Sequence, residues 1–239
     1  ADLFLPATER ARDALLLEGA PADRVRVLNP AGLNVERFAA ARLRDPGAEP
    51  RHTILSVGRL VWEKGHQDVL RAVALLRREG RTGVGVLVVG EGPEEGRLRT
   101  LAAELGISDV VAFAGAVSYD DMPAVYARAD CLVLASLPLP DWEEQFGWVL
   151  AEAMAAHVPV LASASGAIPE VVGDFGALFA PGDWPGLARS LAEGPLAQAP
   201  GTRRAPNQSR LEELTAAAAG ARLRETYDEL LGEGRADLP

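Results

Sequence analysis

The chain has 239 residues and a net charge of −10, and 48% of its residues are hydrophobic. This composition is typical of a globular protein of one or two domains. Such an acidic chain is a poor candidate for binding nucleic acid or an anionic membrane surface. A single cysteine, Cys131, excludes an internal disulfide framework and a cysteine-rich metal site, and it fits a reducing, cytoplasmic location. The apolar runs are far shorter than the ~20 residues of a membrane span, so none is expected.

The first 38 residues differ from the middle of the chain. Two strand-like pieces, Leu3–Leu5 and Val25–Leu28, flank a helical piece at Glu9–Glu18. The chain begins with alanine and shows no signal-peptide pattern, so we expect it to be a piece of a longer protein. Residues 42–51 are polar and contain prolines, which predicts a linker or loop.

From residue 53 onward, strands alternate with helices. The strands are predicted from short, continuous apolar runs, which suit a parallel sheet covered on both faces. These runs are Thr53–Val57, Val86–Val89, Val110–Phe113, Cys131–Leu134, Val158–Leu161 and Ala177–Phe179. Helical patterns lie between them, at Gln67–Arg78, Leu98–Leu105, Asp120–Ala129 and Phe146–Ala156. The alternation predicts an α/β fold with a doubly wound, mainly parallel, Rossmann-like sheet.

The C-terminal part is predicted to have a different character. Residues 195–208 are rich in proline, alanine and glutamine, which indicates a loosely ordered connection. Gln208 to Leu231 reads as one long helix with a weak point at Gly220.

The loop after the first strand, Gly58 to Gly65, carries two cations, Arg59 and Lys64. Lys64 is the only lysine in the chain. In an open α/β sheet, ligands bind beyond the carboxyl ends of the strands. Two cations beside a helix N-terminus suit a diphosphate. The alternative is two solvated surface cations on an ordinary loop.

The loop after the second strand, Gly90 to Gly96, resembles a dinucleotide fingerprint but departs from it. Its third glycine falls one position late, and Glu91, Glu94 and Glu95 would repel a pyrophosphate. A tight turn that borders a binding cleft is the alternative interpretation.

Two carboxylates flank the start of a strongly apolar helix. Glu144 precedes it, where a carboxylate can accept hydrogen bonds from sugar hydroxyls or simply complement the helix dipole. Gly147 permits close approach to the free N–H groups of the first turn. Glu152 lies within the helix and needs a partner there. The loop Ser163–Glu170 follows the fifth strand and could reach the same cleft.

Taken together, these pieces resemble the donor-binding, C-terminal half of a retaining glycosyltransferase of the GT-B fold, in the large family 4 that includes sucrose synthase. The order and spacing of several motifs along most of the chain carry the resemblance. They are Gly58-Arg59, Glu63-Lys64-Gly65, Gly90-Glu91-Gly92-Pro93, Phe113 with Gly115, Glu144 to Glu152 as the Glu-x7-Glu signature, Pro159-Val160 and Gly166 to Glu170.

The resemblance implies transfer of a sugar from a nucleotide diphosphate, with retention at the anomeric carbon and without a bound metal or other cofactor. Arg59 and Lys64 would bind the diphosphate, and Glu144 would contact the sugar, which makes these three the implied catalytic residues. Glu152 would hold the ribose, and the backbone near Phe113 would line the base pocket. The other implied substrate-binding positions are Gly58, Gly90, Glu91, Phe146, Gly147 and Trp148.

Several positions depart from the family pattern. Ala167 and His157 stand where the family usually has glycine, and Asn34 stands where aspartate is common in the interdomain loop. The stretch Leu137–Trp142 is an unusually proline-rich approach to the signature, which could reshape the sugar pocket.

The resemblance also implies a division of the chain. Residues 1–38 would be the end of an acceptor domain and the interdomain linker, 39–206 the nucleotide-sugar-binding domain, and 207–239 a helix that crosses to a missing N-terminal acceptor domain. The partner would be a UDP- or GDP-sugar, and the chain alone would have little activity. The alternatives are a non-catalytic nucleotide- or metabolite-binding module and an NAD- or FAD-dependent oxidoreductase.

Overall fold

The computed structural model describes residues 1–29, 32–39 and 52–236. The chain divides into two compact units, Ala1–Val35 with Asn207–Pro239, and Glu36–Pro206. The linker predicted at 42–51 lies outside the described residues, as do Pro30 and Ala31 of the predicted interdomain loop.

The larger unit is built on a six-stranded sheet in which every neighbouring pair is parallel and the order is β3-β2-β1-β4-β5-β6. The strands are β1 His52–Val57, β2 Val84–Val89, β3 Val111–Phe113, β4 Cys131–Leu134, β5 Val160–Ser163 and β6 Ala177–Phe179. This topology confirms the predicted doubly wound α/β fold. All residues of β2, β4 and β5 are buried, as expected for strands covered on both faces.

The helices of the larger unit pack on both faces of this sheet or follow its strands. They are α2 Val35–Ala39, α3 His66–Arg78, α4 Glu95–Glu104, α5 Met122–Ala127, α6 Trp148–Ala155, α7 Ile168–Val172 and α8 Trp184–Glu193. The sequence reading did not identify α8. Its buried residues Leu187, Ala188 and Leu191 belong to the same hydrophobic core as α3, against which it packs.

The fifth strand starts two residues later than predicted. Pro159 has no N–H to donate to a sheet ladder, and the N–H of Val158 instead bonds to the carbonyl of Ala153 at the end of α6. His157, which directly precedes Val158, has a φ of 57°, in the left-handed region that favours glycine. The glycine expected there by resemblance therefore matches the backbone conformation that the helix end requires.

The prediction that residues 195–208 are loosely ordered is wrong. The N–H of Gly201 donates to the Asp130 carboxylate, and the Arg203 guanidinium donates to the carbonyls of Ala127 and Ala129, both at 2.9 Å. These bonds tie the segment to the loop that precedes β4. Composition alone does not reveal them, because they depend on distant partners.

The smaller unit begins with α1 Glu9–Leu17, which the Thr8 side chain caps. The two flanking strands predicted there are wrong, since Phe4 and Val25 form only an isolated parallel bridge. The predicted single C-terminal helix is likewise two helices, α9 Gln208–Glu213 and α10 Ala216–Ala236. The break lies at Thr215, whose hydroxyl accepts from the N–H of Ala218 and starts α10.

Candidate active site

Two loops meet at the carboxyl edge of the sheet, where the strand order reverses between β1 and β4. A side chain at Gly65 would place its Cβ 1.8 Å from the carbonyl oxygen of Ala135, and Gly65 has a φ of 69°. The N–H of Leu137 donates to the carbonyl of Glu63 at 2.8 Å. The loop after β1 therefore packs directly on the loop after β4. This reversal point is where α/β sheets bind their ligands.

Lys64 and Glu144, one from each loop, form an ion pair at this edge. The Lys64 Nζ donates to Glu144 Oε2 at 2.7 Å, and their side chains are only 16% and 9% exposed. The Ser136 hydroxyl donates to the same carboxylate oxygen at 2.9 Å. The Ser163 hydroxyl in turn donates to the carbonyl of Ser136 at 2.6 Å. Residues that follow β1 and β4, together with the last residue of β5, thus fix the pair.

The loop after β5 supports the backbone of Glu144. The N–H of Ala167 donates to the Glu144 carbonyl at 2.9 Å. A Cβ at Gly166, whose φ is 54°, would lie 2.3 Å from that carbonyl oxygen. The loop Ser163–Glu170, which the sequence predicted to reach the same cleft, therefore contacts Glu144. Beside it lies Ser165, whose buried hydroxyl has no hydrogen-bond partner within the described part of the chain.

His66 fixes the turn that carries Arg59, and the sequence reading missed it. Its Nε2 lies 3.1 Å from the Arg59 carbonyl, which can only accept, so we assign the proton to Nε2. Its Nδ1 then accepts from the Ser56 hydroxyl at 2.8 Å. Burial lowers the pKa of His66 to about 4, and the nearby charge of Lys64 also lowers it. The neutral ring joins the end of β1 to the cation-bearing loop.

Arg59 lies on the same loop as Lys64, directly after Gly58, and its side chain is exposed. The next loop approaches this turn so closely that it requires glycine at Gly90, because a Cβ there would lie 1.9 Å from the Gly58 carbonyl oxygen. The structure therefore brings Lys64 and Glu144 into contact and places Arg59 on the adjoining turn, open to solvent.

The loop after β2 borders this region. Glu91 accepts a bond from the N–H of Leu60 through its backbone carbonyl at 2.8 Å, and its side chain is exposed. Glu94 and Glu95 form ion pairs with Arg97 and Arg99, at 2.8 Å each. Two of the three charges that argued against a pyrophosphate at this turn, Glu94 and Glu95, are therefore paired with arginines of α4.

Phe113 lies at the end of β3, at the margin of the sheet, with β2 between it and β1. It is half-buried, and the Arg99 guanidinium carbon lies 4.4 Å from its ring centroid. The structure thus places it at the carboxyl edge, two strands away from the Lys64 loop.

The helix α6 begins beside the ion pair. Gly147 is buried at its N-cap with a φ of 75°. Phe146 and Trp148 flank it, and their ring centroids lie 4.7 Å apart. Since the first N–H groups of a helix have no partner within the helix, this end of α6 can bind an anion.

Glu152 has its own partner in Tyr126 of α5. The Tyr126 hydroxyl donates to Glu152 Oε2 at 2.7 Å, and Tyr126 is fully buried. Burial raises the pKa of Glu152, and the bond from Tyr126 partly opposes that rise. Tyr126 is the partner that a carboxylate on so apolar a helix needs, and its position in sequence gave no sign of this contact.

Within residues 1–29, 32–39 and 52–236, no group of three or more His, Cys, Asp or Glu side chains could hold a metal ion. No helix in these ranges is both long and apolar enough to cross a membrane.

The fold and the three converging loops define a Rossmann-like domain of the GT-B glycosyltransferase type. Residues 42–194 match the family model of glycosyl transferases group 1, and the chain belongs to this family. The family argues against the NAD- or FAD-dependent oxidoreductase considered above.

Curated relatives include 2-deoxystreptamine glucosyltransferase of Streptomyces kanamyceticus, which is 34% identical over 77% of this chain and 49% of its own length. A GDP-mannose-dependent phosphatidylinositol monomannoside mannosyltransferase of Mycobacterium tuberculosis is 36% identical over 60% of this chain and 39% of its own length. The chain thus spans about half or less of the length of these relatives.

Among solved structures, HepE of Anabaena in complex with UDP superposes with a TM-score of 0.80 at 22% identity. The match covers 96% of this chain and 64% of that one. Sucrose-phosphate synthase of Thermosynechococcus elongatus superposes with a TM-score of 0.77 at 24% identity, over 98% and 59% of the two chains. At these identities the likeness establishes the fold, and the roles of individual site residues stay predictions.

Proposed function

We propose that this chain is the donor-binding part of a retaining glycosyltransferase that uses a UDP- or GDP-sugar. The observation that carries the proposal is the Lys64–Glu144 pair at the β1/β4 crevice. It joins a cation suited to a diphosphate and a carboxylate suited to a sugar, each held by a separate loop.

The chemistry follows from the charge that develops on the leaving group. As the bond to the sugar breaks, the nucleoside diphosphate gains negative charge. Lys64, Arg59 and the N-terminal N–H groups of α6 would stabilise that charge where it forms. In this proposal they do the work that a metal ion performs in other transferases.

Glu144 would accept hydrogen bonds from the sugar hydroxyls near the reacting carbon. Its carboxylate already takes bonds from Lys64 and Ser136 on one oxygen, Oε2. An ionised carboxylate offers about four acceptor sites, so its other oxygen can serve a ligand. Glu152, on the same helix, would hold the ribose.

The named ligands of similar proteins support a nucleotide-sugar donor. HepE structures contain UDP, UDP with glucose, or UDP-glucose, and the mycobacterial relative is named for GDP-mannose. We keep both bases in the proposal because different relatives point to each.

Since relatives are longer, the acceptor would bind to a further domain, and this chain alone would transfer little sugar. The buried thiol of Cys131 fits a protein that works in the cytoplasm.

The first test is a thermal-shift panel of UDP, GDP, ADP and their sugars, because a ligand that prefers the folded state raises the unfolding midpoint. Lys64→Ala should weaken binding of the active diphosphate by about 1–3 kcal/mol, the range for a charge-assisted contact. Arg78→Ala is the matched control, since it removes an exposed cation at the other end of α3. Equal affinities in the two variants would contradict the diphosphate role of Lys64.

The second test concerns transfer. In the full-length protein, Glu144→Gln should lower the rate of sugar transfer while the far-ultraviolet circular dichroism stays unchanged. Transfer at the wild-type rate would remove Glu144 from the site. Binding without isotope transfer by the wild-type full-length protein would favour a non-catalytic nucleotide-binding module instead.

A further inference from the structure

The proline-rich segment Leu137–Trp142 folds into a turn that packs on the loop Gly58–Gly65. The N–H of Leu139 donates to the Trp142 carbonyl at 2.8 Å, and the N–H of Trp142 returns a bond to the Leu139 carbonyl at 3.3 Å. Upstream, Leu137 is bonded to Glu63, next to Lys64. Two prolines, Pro138 and Pro140, restrict the backbone of the same turn. The backbone that carries Trp142 is therefore held by hydrogen bonds at both ends of the segment.

The Trp142 ring faces the ammonium group of Lys64. The Nζ atom lies 4.9 Å from the ring centroid, within the range of a cation–π contact. The ring is half-buried, and the Lys64 side chain is only 16% exposed. A contact of this kind is stronger where water is excluded, so the partial burial of both groups makes it effective.

The two partners of Lys64, Glu144 and Trp142, differ in how much of its positive charge and hydrogen-bonding capacity they leave for a phosphate. Glu144 takes one of the three ammonium donors and neutralises part of the charge. Trp142 attracts the cation through its ring face, without a formal negative charge that would oppose an incoming phosphate. Lysine has a flexible four-carbon stem, and each contact that holds its ammonium group before the ligand binds removes part of the entropy cost of binding. The Trp142 ring adds such a contact to the one that Glu144 supplies.

We propose that Trp142 is a positioning residue that holds the Lys64 ammonium at the mouth of the site, ready for the donor diphosphate. The proposal rests on the function proposed above for Lys64. It assigns a role to the proline-rich segment that precedes Glu144 in the chain. Trp142 acts through Lys64 and need not touch the ligand.

The first experiment measures the NMR chemical shift of Lys64 and needs no ligand. Because Lys64 is the only lysine, labelling with ¹³C-lysine gives one ε-methylene resonance. In the wild type this resonance should lie upfield of its position in the unfolded protein, because the ring current of Trp142 acts on it. Trp142→Leu should move it toward the unfolded position, and Trp142→Phe should retain part of the displacement.

The matched control is Trp62→Leu, which removes a ring that lies on the same turn as Lys64 but faces Arg97 instead. The control should leave the upfield displacement in place. A lysine resonance that is unchanged in Trp142→Leu, or that moves equally in both variants, would overturn the proposal whether or not the protein binds a nucleotide.

The second experiment titrates the variants with the nucleoside diphosphate that gives the largest thermal shift. Trp142→Leu should weaken binding by about 3- to 10-fold, the effect of losing one partly buried cation–π contact. Trp142→Phe should restore most of the affinity, and Trp142→Leu should cause little further loss when Lys64→Ala is already present. An equal loss in both backgrounds would show that the ring acts independently of Lys64 and would overturn the proposal.

The two proposals can fail separately. If the wild type binds no nucleoside diphosphate while the lysine resonance responds to Trp142 as expected, the proposed function fails and the positioning of Lys64 stands. If the nucleotide binds through Lys64 while Trp142→Leu changes neither the resonance nor the affinity, only the role of Trp142 fails.

Discussion

The two edges of the sheet use buried charge in different ways. At the amino edge, the Asp130 carboxylate accepts backbone N–H bonds from Thr53 and Gly201, and Arg203 donates to two backbone carbonyls. At the carboxyl edge, Lys64 and Glu144 are paired with side chains instead. At the amino edge the backbone partners tie Asp130 and Arg203 into the fold itself, whereas at the carboxyl edge the partners are side chains on separate loops. Burial and pairing are common to both edges, so the difference between them lies in the kind of partner, backbone or side chain.

The largest expected effect is at the carboxyl edge, where Gly65→Ala would break the contact between the two loops. The new methyl would meet the Ala135 carbonyl oxygen at 1.8 Å, on a backbone with a positive φ. We expect a loss of about 3–5 kcal/mol of unfolding free energy, measured by urea denaturation.

The matched control for that variant is Gly80→Ala. Gly80 also has a positive φ, of 90°, but has nothing within 4 Å of a Cβ. It should lose only about 1–2 kcal/mol, the conformational cost alone. Equal losses at the two glycines would mean that the loops do not approach as closely as described.

The next largest effect is at the amino edge, where Asp130→Ala would leave the N–H groups of Thr53 and Gly201 without their partner. We expect a loss of about 2–3 kcal/mol of unfolding free energy and no change in nucleotide affinity. The control is Asp174→Ala, which removes an exposed carboxylate. A weakened affinity in Asp130→Ala would erase the distinction between the two edges.

The smallest effect concerns pH and His66. Its pKa is about 4 in the folded protein against 6.5 for a free side chain, so the unfolded state binds the proton first as the pH falls. The folded state therefore loses stability between about pH 6.5 and 4, by about 1–2 kcal/mol at pH 5 relative to pH 7. Glu152 and Asp68 act in the opposite direction, because burial raises their pKa.

The contribution of His66 can be isolated by difference. His66→Gln should flatten the pH dependence of the unfolding midpoint relative to the wild type, since glutamine does not titrate. Parallel curves for the two proteins would show that His66 is not held neutral at this edge.

Much of the fold follows from local sequence. Runs such as Val86–Val89 and Cys131–Leu134 are apolar throughout because both faces of these strands are buried. The errors occur where distant contacts override local preference. The C-terminal helix was expected to weaken at Gly220, but it breaks at Thr215. There the backbone of Leu33 is hydrogen-bonded to the Leu214 carbonyl and the Ala216 N–H, on both sides of the break.

The site was predictable only in part. The positions of Lys64 and Glu144 after β1 and β4 indicated that they belong to one edge of the sheet. Their direct contact, and the support from Ser136 and Ser163, depend on how closely the loops approach. His66 follows Lys64-Gly65 in sequence, which was a usable sign of a role in that loop. Nothing in the pattern indicated that its ring would turn inward.

The Lys64–Glu144 pair joins positions 80 residues apart in the chain. Closing so long a loop costs conformational entropy that only the assembled sheet offsets. A ligand that binds both residues therefore stabilises the cooperative unit that contains β1 and β4, and not only one surface turn. Binding of such a ligand would slow amide hydrogen exchange in both β1 and β4 relative to the ligand-free protein, including at buried residues that the ligand does not contact.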